Sequence, residues 1–94
     1  MANIYQIRRY ILEALKEYNP TPCNVESVQD FPKFALLQAE NEEIRTQWKE
    51  LKAFGYIEAI PGFEGKYCRI TEKGLKQVNP EFAKEPFVWG PMSL

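Results

Sequence analysis

The chain has 94 residues, 45% of them hydrophobic, 14% aromatic and 27% charged, with a formal net charge of −1. That length supports one modest core and not two, and the composition belongs to a folded globular protein rather than a disordered chain. A slightly acidic total speaks against a protein that coats nucleic acid non-specifically.

The first segment, MANIYQIRRYILEALKEYN, spaces Ile4, Ile7, Ile11, Leu12, Leu15 and Tyr18 along one helical face, which predicts an amphipathic helix of about four turns. Asn3 is the expected N-cap, and Asn19-Pro20 ends the helix because proline restricts the residue before it. Arg8, Arg9, Glu13, Lys16 and Glu17 interrupt the apolar positions. The segment therefore lacks the unbroken apolar core of a signal peptide or membrane span, and the cytoplasm is the expected compartment, with no membrane partner. Residues 20–24 read as a loop.

Residues 24–41, NVESVQDFPKFALLQAEN, admit two readings. In the first, Asn24 caps a short helix to about Asp30, and KFALL is extended with alternating side chains. In the second, Asp30 caps a helix that has Pro32 in its first turn and runs to Gln38. Only the second ends a helix three or four residues before the next one, as a helix-turn-helix requires; we favour the first.

From Asn41, taken as an N-cap, the pattern is plainly helical. Glu42 and Glu43 complement the positive end of the helix dipole, and Ile44, Trp48 and Leu51 keep one apolar face. Gly55, able to adopt the left-handed conformation, stops this helix. Tyr56, Ile57 and Ile60 begin a strand, and Tyr67 and Ile70 continue one beyond PGFEG. Pro61-Gly62 suits the central positions of a type II turn, so residues 56–70 read as a hairpin. Thr71 caps a last short helix, EKGLKQV, which Asn79-Pro80 ends. Charge varies along this path: residues 19–40 carry −2 (Lys33 against Glu26, Asp30 and Glu40), whereas residues 64–76 carry +2 (Lys66, Arg69, Lys73 and Lys76 against Glu64 and Glu72).

A helix of the form Ile44-x3-Trp48-x2-Leu51-x3-Gly55-Tyr56-Ile57, a hairpin, and then Arg69-Ile70-Thr71-Glu72-Lys73-Gly74-Leu75 resembles the second half of the winged helix-turn-helix family of small bacterial DNA-binding proteins. The match covers about residues 41–78. It implies a small α+β domain over residues 1–78, with three helices, a two- or three-stranded antiparallel sheet, a wing hairpin and a short helix after Thr71. In that family the helix before the glycine enters the major groove and the hairpin is the wing. Carried over, these roles place Arg45, Thr46 and Lys49 on the exposed face of the recognition helix, Lys66 and Arg69 at the wing, and Lys73 nearby. Arginine suits a bidentate contact with guanine and lysine suits phosphate. Glu42, Glu43 and Glu50 depart from the pattern, because a carboxylate facing phosphate is repelled. The bland reading of the same charges is a solvated helix face and a soluble strand edge.

Two functions follow from the resemblance: a transcriptional regulator that binds double-stranded DNA as a dimer, or a winged-helix module that docks on a protein without nucleic acid. The tail, residues 79–94, places Phe82, Phe87, Val88, Trp89 and Met92 among prolines that exclude a regular helix. It is expected to pack over its own core or onto a second subunit or partner, with Phe82, Phe87, Trp89 and Met92 as contact residues; dimerisation through terminal segments is common in the family. An enzyme is not expected, because there is no histidine and the carboxylates show no paired acid–base spacing. No cofactor or metal is expected either, since Cys23 and Cys68 match no ligand spacing. Both are read as buried or half-buried thiols rather than a disulfide.

Overall fold

The apolar stripe of the first segment folds as α1 (Ile4–Tyr18), which buries Ile7, Ile11, Leu12, Ala14 and Leu15. Tyr18 leaves the stripe and faces solvent. The computed structural model describes residues 4–63 and 65–78, so the expected cap at Asn3 and the tail lie outside the described residues. After α1 come β1 (Cys23–Asn24), α2 (Val25–Gln29), α3 (Pro32–Leu37), α4 (Asn41–Ala53), β2 (Ile57–Ala59), β3 (Tyr67–Ile70) and α5 (Glu72–Val78). The architecture is α+β, with five described helices and a three-stranded antiparallel sheet in the order β1-β3-β2. α1 is central, touching all four other helices and β3. No helix among the described residues is long and apolar enough to cross a membrane.

Three expectations need correction here. Residues 20–24 are not all loop, because Cys23 and Asn24 pair antiparallel with Cys68 and Tyr67 as an edge strand. A two-residue strand carries no periodicity, so only its distant partner reveals it.

The second correction concerns residues 24–38, where each reading holds in part. Asn24 does cap α2, its Oδ1 accepting the Ser27 N–H at 2.9 Å. KFALL is helical rather than extended, and Phe31 occupies the N-cap position of α3 instead of Asp30. The reason is spacing: Phe34 is buried, Phe31 and Leu37 pack partly against the core, and these three positions recur every third residue as on a helix. Leu36, which strict alternation would place beside Phe34, is 86% exposed. The domain therefore has two short helices where the expected count allowed one.

The third is the start of α4. Its N-cap is Glu40 rather than Asn41, within a capping box in which Glu43 Oε1 accepts the Glu40 N–H at 3.0 Å. At the other end Gly55, at φ 83, closes α4 with a Schellman motif: Tyr56 N–H donates to Leu51 O (3.0 Å) and Gly55 N–H to Lys52 O (3.2 Å). The hairpin is as expected, with Ile57 opposite Ile70, Glu58 opposite Arg69 and Ala59 opposite Cys68. Gly62 takes φ 93, the conformation that the third residue of a type II turn requires. Thr71 caps α5, its Oγ1 accepting the Gly74 N–H at 3.1 Å and donating to Gly55 O at 2.7 Å.

Among the described residues, one charged side chain enters the core. Arg8 is 1% exposed, donates from Nε to Gln47 Oε1 on α4, and lies 5.5 Å from the Phe54 ring centre. Burial lowers its pKa, opposed chiefly by the charge of Glu50. A guanidinium stays charged at neutral pH regardless, so its polar contacts are what make its burial tolerable.

Candidate functional site

The capping box and the Schellman motif fix where α4 begins and ends, and the apolar face of Ile44, Trp48 and Leu51 fixes its rotation against the core. What remains outward is the stripe Glu42, Arg45, Thr46, Lys49 and Ala53, spaced as one helix face. Thr46 Oγ1 bonds back to Glu42 O at 3.0 Å, which holds that hydroxyl against its own helix.

One side of this stripe forms the wall of a cleft of about 380 Å³. Arg45, Trp48, Lys49 and Lys52 contribute from α4, Gly65, Lys66 and Tyr67 from the hairpin, and Asn24, Val25 and Glu26 from the start of α2. Trp48 is 5% exposed, so it belongs to the core and only its edge reaches the cleft. Lys52 Nζ donates to Gly65 O at 3.5 Å and ties α4 to the hairpin.

Among the described residues the lining holds four cationic side chains and one carboxylate, that of Glu26, in a protein whose net charge is −1. Like charges gathered in one concavity reinforce each other's potential, so such a cleft attracts anions although the whole molecule does not. The carboxylates of α4 do not cancel it: Glu43 is engaged in the capping box and Glu50 acts on buried Arg8, and neither they nor Glu42 line the cleft.

The structure thus brings Arg45, Lys49 and Lys66 together and adds Lys52, which sequence reasoning missed. Its position one turn beyond Trp48 was the available signal, but only the fold of the hairpin over α4 places it at the cleft. Arg69 and Lys73 lie outside it. Arg69 Nε pairs across the strands with Glu58 Oε1 at 2.8 Å, which largely neutralises it. Lys73 Nζ donates to Phe54 O at 2.8 Å, at the C-terminal end of α4, and sits 4.7 Å from the Tyr56 ring centre. Phe63, 51% exposed on the hairpin, packs on Tyr67 with ring centres 5.1 Å apart. The expected contact residues Phe82, Phe87, Trp89 and Met92 lie outside the described residues.

Among the described residues no group of three or more histidine, cysteine or carboxylate side chains could hold a metal ion. Comparison with known proteins finds no matching family model, no matching curated protein and no matching solved structure.

Proposed function

We propose that this chain is a winged-helix protein that binds double-stranded DNA, with α4 in the major groove and the hairpin on the phosphate backbone. The observation that carries this reading is the cleft, where α4 and the hairpin concentrate Arg45, Lys49, Lys52 and Lys66. Support also comes from the segment before α4. α3 ends at Leu37 and α4 starts at Asn41, a three-residue connection of the length that joins the helices of a helix-turn-helix. Gln38, left-handed at φ 57, makes the bend. Arg45 is then the residue for a guanine edge, and Lys49, Lys52 and Lys66 are phosphate ligands. Action as a dimeric transcriptional regulator through residues 80–94 belongs to the same proposal.

The experiment is fluorescence anisotropy of a labelled random-sequence duplex, titrated at several salt concentrations. With three to four phosphate contacts, log K falls against log salt with a slope of about −3. Lys49→Glu with Lys66→Glu reduces that slope by about two, whereas Arg69→Ala and Lys73→Ala leave it near its original value. Absence of binding at low salt refutes the proposal.

The second reading, docking on a protein without nucleic acid, is favoured by Leu36, which stands 86% exposed on α3. Duplex binding abolished by the cleft substitutions counts against it.

A further inference from the structure

Cys23 and Cys68 are separated by most of the fold in sequence, yet they are direct partners in the β1–β3 ladder. Facing residues of an antiparallel ladder have Cα atoms about 4.5–5.5 Å apart, within the span of roughly 4.4–6.8 Å that a disulfide bridges. Their side chains also leave the sheet on the same face. Here that face is the core, where both thiols are free and buried. We infer that Cys23 and Cys68 are a redox modification site, forming a reversible disulfide that staples the edge strand β1 to β3 when the protein meets a disulfide oxidant of the glutathione class.

Access is through β1. It has two residues and lies at the edge of the sheet, and short, weakly bonded edge elements are among the first to open locally. Among the described residues the Cys23 thiol hydrogen-bonds to the adjoining loop, donating to Thr21 O at 3.8 Å. Burial raises both thiol pKa values, and the charge of Lys52 opposes that rise at Cys68. In the open state the Cys23 thiolate attacks glutathione disulfide, forming a mixed disulfide and releasing one glutathione. The Cys68 thiolate then attacks the Cys23 sulfur and releases the second. Two S–H bonds are lost and one S–S bond is gained, and the two electrons and two protons leave with the two glutathione molecules.

The next pair in the register, Asn24 and Tyr67, lines the cleft. The bridge therefore lies immediately behind the cleft wall and fixes α2 to the hairpin there. Its formation does not depend on what the cleft binds.

The test equilibrates the native protein with glutathione buffers of increasing oxidising strength, alkylates the remaining thiols and maps the peptides by mass. The expected result is a monomer that has lost two hydrogens, with the Cys23 and Cys68 peptides joined, both thiols recovered on reduction, and a thermal midpoint raised by about 10 °C. Cys68→Ser takes up one glutathione instead and shows no bridge. Full alkylation of both cysteines after native equilibration, or a bridge formed only between chains, overturns the inference. A bridge that lowers the midpoint also overturns it, because it would require distortion of the observed register.

Discussion

Gly74 sits inside α5, where alanine ordinarily stabilises a helix by about 1 kcal/mol relative to glycine. Here the sign reverses. A Cβ on Gly74 would stand 2.3 Å from Tyr56 O, 2.8 Å from Ile70 Cγ1 and 3.2 Å from the Tyr56 carbonyl carbon. Carbon and carbonyl oxygen rest no closer than about 3.3 Å, so helix and strand must separate by roughly an ångström. The oxygen cannot yield alone, because it accepts the Thr71 N–H at 3.0 Å and also lies 3.0 Å from Thr71 Oγ1, whose one proton is directed to Gly55 O. Gly74 N–H is itself bound to that same Thr71 hydroxyl. Overpacking costs about 1–3 kcal/mol and a weakened hydrogen bond about 1 kcal/mol. After the propensity gain, Gly74→Ala loses about 2 kcal/mol, a fall of about 10 °C in thermal midpoint. Thermal and urea unfolding followed by circular dichroism measure it. Gly62→Ala, at φ 93 with open space around it, is the control, losing only the roughly 1–2 kcal/mol of left-handed backbone strain. A Gly74→Ala midpoint at or above the parent's would refute the close packing of α5 on Tyr56.

Two further outcomes are expected. Gln47→Leu removes one acceptor of a buried guanidinium, that of its Nε–H, and costs about 1–3 kcal/mol, while Arg8→Met with Gln47→Leu recovers most of that loss because the buried charge is gone as well; a double-mutant cycle by urea denaturation reads the coupling, and simple additivity would reject it. Deleting residues 80–94 converts a dimer to a monomer in sedimentation equilibrium if those residues form the subunit contact, and an unchanged mass rejects that role.

Elements with strong local periodicity were legible without the structure. The 3.6-residue recurrence of α1 and α4, the stop at Gly55, the Pro61-Gly62 turn and the cap at Thr71 each depend on residues close in sequence. Residues 24–38 were ambiguous for the opposite reason: a short apolar run satisfies helix and strand alike until packing selects a face. There the core accepted Phe31, Phe34 and Leu37 and left Leu36 in solvent.

The α+β class, the hairpin and the outward placement of Arg45, Thr46 and Lys49 can be read from residue order, because they follow from chain-local geometry. Long-range packing is what creates β1, sets Cys23 against Cys68, buries Arg8 against Gln47, and brings Lys52 to the cleft while Arg69 and Lys73 turn to other partners. Each of these is a contact between residues distant in the chain. Periodicity fixes which face a residue occupies, whereas the partner on that face is set by how α1, α4 and the sheet close around one another.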